Sequence, residues 1–260
     1  MKRFALIGYP ISHSLSPALF RAAYGGKWAY ELLEDEDFSR SWERFLSDYD
    51  GINVTAPFKE LAFRSATILS PDALRTGAVN TVVRTPEGTF GDNTDYKAVS
   101  ALLSGAEAGT PALVIGCGGA GKAAAMAAAD AGLKVTLFNR TPEKAMQIAA
   151  LHPEGNFSVI SAPSLKESIA RAGIILYTAS GPLDGMEEYF AGVSGKTVIE
   201  ANYRRPAFSS GLKESVTSDG GRYEGGEAWL LAQAISAFLI FTGEQPDLDA
   251  MKAVISSIIR

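Results

Sequence analysis

Residues 111–140 read PALVIGCGGAGKAAAMAAADAGLKVTLFNR. An apolar run of strand length meets glycines at 116, 118 and 121. An alanine-rich stretch of helix length follows, and a second apolar run closes the unit. Gly-x-Gly-x-x-Gly between a strand and a helix is a dinucleotide fingerprint in this context, though a weak signal by itself. The first glycine permits a tight turn, and the second lets the backbone approach a pyrophosphate. The helix N-terminus then offers unpaired N–H groups to the anion. Gly116, Gly118, Gly119, Ala120 and Gly121 are therefore the expected cofactor loop. Cys117, inside it, reads as a small packed side chain, since no histidine or second cysteine lies near it in sequence to activate a thiol.

The second apolar run ends at Asn139, Arg140 and Thr141. A loop for NAD would carry Asp or Glu there to hold the ribose 2′-hydroxyl. A cation beside two neutral hydrogen-bonding groups suits a 2′-phosphate instead, so NADP is the expected cofactor. Lys144 adds charge one helical turn further on. The alternation continues. Thr141-Pro142 reads as the capped start of the helix EKAMQIAAL, and FSVIS, GIILYTA and KTVIEAN read as further strands. Strands alternating with helices specify a doubly wound parallel sheet, a Rossmann-type domain over residues 98–229.

The chain has 260 residues, which suits two domains better than one core. Residues 1–97 have a different texture: short strands (3–8, 28–34, 51–55), helices from Ser16-Pro17 and over 37–47, 59–70 and 96–105, and a hairpin of 78–84 with 88–95. The helices of 230–260 are expected to return to this first domain. The class is α/β: an N-terminal α/β substrate domain beside the dinucleotide domain. Four polar loops stand at strand ends: GYPISHSLSP, NVTAPFK, GAVNT and GDNTD. Such loops converge on one edge of an open α/β sheet, where a ligand binds.

Lys and Arg number 24 against 29 Asp and Glu, so no basic excess exists to neutralise a nucleic acid. The single cysteine allows no internal disulfide, which points to a reducing, cytoplasmic setting. The apolar run after Lys2 and Arg3 stops at Gly8, too short for a signal-peptide core. No run reaches the roughly 18 apolar residues of a membrane span. No metal is expected, and the chain is expected as a monomer or homodimer.

Taken together, GYPISHSLSP, NVTAPFK, GAVNT, GDNTD, GCGGAG, NRT and a late AQA closely resemble the shikimate dehydrogenase family, in its order and spacing and over nearly the whole chain. The family reduces 3-dehydroshikimate to shikimate with NADPH on the route to aromatic amino acids. The resemblance implies Lys59 and Asp95 as the catalytic pair, and Ser14 and Ser16 as holders of the substrate carboxylate. It implies Asn53, Thr55, Asn80 and Gln233 as hydrogen-bonding partners of the substrate, Tyr203 near its carboxylate, and Gly226 at the cofactor. His13 receives no catalytic role, and His152 reads as solvated. Related readings are a quinate or aminoshikimate dehydrogenase, with NADP or NAD, and a sensor that binds NADP without turnover. The sequence departs from the family pattern at Tyr177, where an Asn is usual, at Glu200, where an Asp is usual, and at Trp229, where a Met is expected beside the nicotinamide.

Overall fold

The computed structural model describes residues 2–151 and 157–258, so His152 lies outside the described residues. The chain divides into two compact units: Met1–Lys97 with Leu231–Arg260, and Ala98–Leu230. The first unit contains β1 (Arg3–Gly8), α1 (Ser16–Ala23), β2 (Ala29–Glu34), α2 (Phe38–Asp48), β3 (Gly51–Val54) and α3 (Lys59–Ser65). It continues with β4 (Ile68–Leu69), α4 (Pro71–Thr76), β5 (Thr81–Thr85), β6 (Gly88–Asp92) and the start of α5 (Thr94–Leu102). Then come β7 (Pro111–Ile115), α6 (Gly119–Asp130), β8 (Lys134–Phe138), α7 (Pro142–Ala150), β9 (Phe157–Ile160), α8 (Leu165–Arg171) and β10 (Ile174–Tyr177). The rest is α9 (Met186–Tyr189), β11 (Thr197–Glu200), α10 (Ser210–Thr217), β12 (Arg222–Glu224), α11 (Gly226–Thr242) and α12 (Leu248–Ile258).

The first sheet runs β2-β1-β3-β5-β6-β4. β1 lies parallel to β2 and β3, while β5 is antiparallel to β3 and β6. Both faces are covered, which is why β1 reads as an unbroken apolar run. Ala5 and Ile7 pack toward Trp42, Phe45 and Tyr49. On the other face Phe4 stacks on Phe241 at 4.9 Å, and Phe20 meets Phe238 edge-on at 4.9 Å. Burying each ring is worth about 1.5–3 kcal/mol, enough to hold the end of α11 in this unit.

The register explains the polar end of this sheet. β1 and β3 run towards it and end there, and Asn53 of β3 stands opposite Thr81 at the start of β5, which in turn faces Asp92 at the end of β6. The loops after β1, β3 and β6 and the loop before β5 therefore share one edge.

The second sheet is wholly parallel, in the order β12-β11-β10-β7-β8-β9. Counting β7 as the first strand, this is the 3-2-1-4-5-6 order of a dinucleotide fold, with its switch point between β7 and β10. The expected α/β fold class holds.

Several local expectations are corrected. The helix read over 59–70 ends at Ser65, where Ala66 turns extended. Ser70 then caps a separate helix by accepting from Ala73 N–H. Thr141 occupies the N-cap of α7 but makes no side-chain capping bond. Ser16 does not cap α1 either; it is the first helical residue, and Leu15 holds the cap position. Asp95 lies in the first turn of α5, not at the end of a strand. Among the described residues no helix is long and apolar enough to cross a membrane, and no group of three His, Cys, Asp or Glu side chains could hold a metal.

Candidate active site

The first loop folds over the second. Gly8 passes so close to Thr55 that a side-chain carbon there would lie 2.4 Å from the threonine methyl. Tyr9 N–H donates to Ala56 O and Thr55 N–H to Ile7 O, which ties the two loops together. Ser14 Oγ donates to Ser16 Oγ at 3.2 Å. Because Ser16 does not cap α1, its hydroxyl is not spent on the helix end. His13 is exposed on this loop.

Lys59 opens α3 and Asp95 lies in the first turn of α5. Thirty-six residues apart in sequence, their side chains meet with Nζ 2.6 Å from Oδ2. Their side chains are 18% and 9% exposed, so the ion pair is largely desolvated yet still reachable. An ammonium held this way is a fixed donor beside the polar loops.

Thr94, the residue before Asp95, belongs to a network of neutral groups. Tyr30 OH donates to Asn53 Oδ1 at 2.7 Å, while Asn53 Nδ2 donates to Asn80 O and Thr81 Oγ1. Asn80 Oδ1 accepts from Thr94 N–H at 2.7 Å and also from the hydroxyls of Thr94 and Thr81. Thr94 Oγ1 reaches Gln233 Oε1 at 3.4 Å. Asn53, Asn80 and Gln233 thus belong to one connected set, with Thr55 beneath the first loop. Tyr30, Thr81 and Thr94 were not foreseen. Tyr30 lies in β2 with nothing local to mark it, and only the pairing of β2 with β1 brings it there.

Asp92 supports the turn into α5. It is buried, accepts from Ser70 Oγ and Asn93 N–H, and pairs with Lys97 Nζ at 3.0 Å. Lys97 also bonds Asp72. Burial pulls the Lys97 pKa down, but its bonds to the two carboxylates outweigh that and raise it above the ordinary value.

In the second unit Gly116 sits at φ +101°, and a side-chain carbon at Gly121 would lie 1.9 Å from Gly116 O. Only glycine permits this turn and this close approach of α6 to β7. A carbon at Gly118 would meet nothing within 4 Å, so that side of the loop is open. Gly119 and Ala120 form the first turn of α6, whose first N–H groups have no partner within the helix. Thr178, at the end of β10, donates to Gly116 O at 2.7 Å and fixes the loop from the switch point.

A cleft of about 240 Å³ follows, lined by Gly116, Gly118, Arg140, Thr141, Lys144 and Thr178 among others. Arg140 and Lys144 are exposed at its rim. Asn139 also lines it, but its amide is occupied. Oδ1 accepts from Cys117 N–H at 2.9 Å, and Nδ2 donates to Thr141 O at 2.9 Å. It holds the glycine loop to the end of β8. The open glycine loop, helix N-terminus and basic rim fit the pyrophosphate and 2′-phosphate of NADP. Burial pushes the Cys117 thiol up to about 12, so it is not a nucleophile at neutral pH.

Tyr203 follows β11. Gly226 packs against it, so that a side-chain carbon on Gly226 would lie 2.3 Å from Tyr203 N. Tyr177 is a core residue whose OH donates to Gly181 O at 2.7 Å, and Trp229 is buried. Glu200 is also buried, and burial raises its carboxyl pKa above the ordinary value. Such a group holds its proton more tightly folded than unfolded. Its contribution to stability therefore falls as pH rises from the usual carboxylate range of about 4.3 towards the raised value. Glu200→Gln removes that titration. Denaturant unfolding at pH 5 and pH 8 is expected to show the variant gaining stability relative to the unmutated protein at the higher pH. A difference independent of pH would refute the assignment.

An all-parallel dinucleotide fold with a basic cleft, on a chain that also carries a lysine–carboxylate pair and a network of neutral amides and hydroxyls, defines a nicotinamide-dependent oxidoreductase. The profile described as "Shikimate dehydrogenase substrate binding domain" matches residues 6–82, and "Shikimate / quinate 5-dehydrogenase" matches residues 101–186. The shikimate dehydrogenase (NADP(+)) of Thermus thermophilus is 34% identical over 266 residues, covering 97% of each chain. The crystal structure of shikimate 5-dehydrogenase from Thermus thermophilus in complex with NADP(H) and shikimate superposes with a TM-score of 0.83 at 30% identity, covering 99% of both chains. Quinate dehydrogenase from Corynebacterium glutamicum in complex with NAD gives 0.85 over 99% of each chain, but at 22% identity this speaks for the fold alone. The chain belongs to the shikimate dehydrogenase family.

Proposed function

We propose that this chain catalyses the NADP-dependent, reversible interconversion of 3-dehydroshikimate and shikimate, a step of aromatic amino acid biosynthesis. The observation that carries the proposal is the Lys59–Asp95 contact of 2.6 Å, next in the chain to Thr94 and its network of neutral amides and hydroxyls at the polar edge of the first sheet. NADPH, held by the glycine loop and the basic cleft, would supply the hydride that the ketone carbon needs. Lys59 supplies the proton to the carbonyl oxygen and stabilises the negative charge that develops there. Asp95 holds the ammonium in position, and in the reverse direction the lysine takes the proton from the alcohol. We assign Asn53, Thr55, Asn80 and Gln233 to the ring hydroxyls and carboxylate, and Tyr203 to the neighbourhood of the carboxylate. Arg140, Thr141 and Lys144 are assigned to the 2′-phosphate, and Gly116, Gly118, Gly119, Ala120, Gly121 and Gly226 to the rest of the cofactor. Asn139 serves by shaping the glycine loop. The compartment we favour is the cytoplasm, with the chain as a monomer or homodimer.

Following nicotinamide absorbance with shikimate or quinate, each with NADP or NAD, tests the reading. Turnover is expected with shikimate and NADP, and a preference for quinate would overturn the substrate assignment.

Ser14 and Ser16 are assigned to the substrate carboxylate. Ser14→Ala or Ser16→Ala removes one hydrogen bond to an anion. At the lower end of such bonds, about 1.5 kcal/mol, KM for shikimate should rise roughly tenfold. Turnover should change little, because the carboxylate keeps its charge throughout the reaction. An unchanged KM in both variants would refute the clamp.

A further inference from the structure

Glu200 ends β11 with no exposed surface, a costly place for a carboxyl group unless both its oxygens are used. Both are. Oε1 accepts from Ala207 N–H at 2.6 Å, and Oε2 accepts from Tyr223 OH at 2.5 Å. The chain therefore leaves the strand at Glu200, runs through residues 201–206, and returns to the same side chain. Tyr223 anchors this closure to β12, the neighbouring strand.

Tyr203 lies inside the closed segment and is restrained from two more sides. Asn202 Oδ1 accepts from Arg204 N–H and Arg205 N–H at 3.1 Å each, and Asn202 Nδ2 donates to Ser180 O at 3.3 Å. Gly226 brings the start of α11 against the Tyr203 backbone. Arg204 and Arg205 remain exposed. A six-residue loop with a basic, exposed tip would otherwise sample many conformations at a large entropic cost to any ligand that needed one of them.

We propose that Glu200 is a positioning residue: its carboxylate is the clasp that closes residues 201–206 and sets Tyr203 for the substrate. The inference rests on the role given to Tyr203 above. A glutamine in this position keeps an acceptor for Ala207 N–H and offers Nε2 to the Tyr223 oxygen, so geometry survives loss of charge. An alanine leaves both donors without a partner.

Limited trypsin digestion reads the clasp directly, because Pro206 protects the bond after Arg205 and leaves the bond between Arg204 and Arg205 as the cleavable one. Glu200→Ala is expected to speed appearance of the fragment beginning at Arg205 by about tenfold or more, as local opening becomes easier. KM for shikimate should rise about tenfold, with kcat within about threefold and the Kd for NADP unchanged. Adding Tyr203→Phe should then raise KM no further, because the two changes act through one contact. Glu200→Gln should lie within about twofold of the unmutated protein in all readouts. If Glu200→Ala does not fold, Tyr223→Phe, which removes one of the two bonds, should give the same pattern at smaller amplitude. Unchanged cleavage, or KM effects of the Glu200 and Tyr203 variants that simply multiply, would overturn the clasp while leaving the proposed activity intact. Absence of shikimate turnover in the unmutated protein would remove both.

Discussion

Lys59→Ala is expected to lower kcat for shikimate oxidation by about 10²–10⁴ while KM stays within a few-fold, the range for one positioned acid–base group. The reaction moves a proton on or off an oxygen, and the lysine ammonium is fixed 2.6 Å from Asp95 at the polar edge of the sheet. Its charge matters most where negative charge develops on the reacting oxygen, so its loss falls on the transition state and thus on turnover. The substitution also removes the Lys59 side of an ion pair whose Asp95 side chain is only 9% exposed. Breaking a buried pair from one side is costly to stability, so the unfolding midpoint should fall as well. The two effects separate by temperature: the loss in kcat should persist well below the midpoint, where the variant is folded. NADP affinity should be unchanged, since the cofactor loop belongs to the other compact unit. A folded variant with more than a tenth of the original kcat would sink the role given to Lys59.

The parts of this site that were legible in sequence are those where local chemistry repeats the fold. Glycines between an apolar run and an alanine run announced the cofactor loop, because only glycine tolerates φ +101° at 116 and a carbonyl 1.9 Å from a would-be Cβ at 121. The polar loops were visible as departures from apolar strands. What sequence did not reveal was set by long-range contact. Residues 59–70 read as one helix, yet the helix stops at Ser65 and Ile68 and Leu69 pair with Phe90 and Gly91 as a strand. Ser70 then caps a further helix, Pro71–Thr76, beyond the stretch read as helical. Tyr30 reaches Asn53 only because β2 and β3 flank β1 on opposite sides. Asn139 has the chemistry of a ligand group, but its amide is consumed by two backbone partners. Glu200 reads as a minor departure from the family's Asp, and burial together with its two hydrogen bonds gives it a structural task.

The fate of Asn139 sharpens the expectation for cofactor choice. With its amide engaged, discrimination at the end of β8 rests on Arg140, Thr141 and Lys144, all on the cleft. A 2′-phosphate carries close to two negative charges at neutral pH, and a guanidinium forms charge-assisted bonds with it. Arg140 is exposed, so screening by water limits that gain to about 1.4 kcal/mol, or tenfold. No carboxylate stands at 139–141 to repel the phosphate, and NAD finds no acidic acceptor there for its ribose hydroxyl. A second factor of about ten follows, for a preference near a hundredfold in Kd for NADP over NAD. Arg140→Ala should weaken NADP binding about tenfold, leave NAD binding unchanged, and flatten the salt dependence of NADP binding, because an exposed charge pair is what salt screens. Titrating both cofactors into both proteins at two ionic strengths separates these effects. Equal affinities of the unmutated protein for NAD and NADP would show that the end of β8 does not select the cofactor.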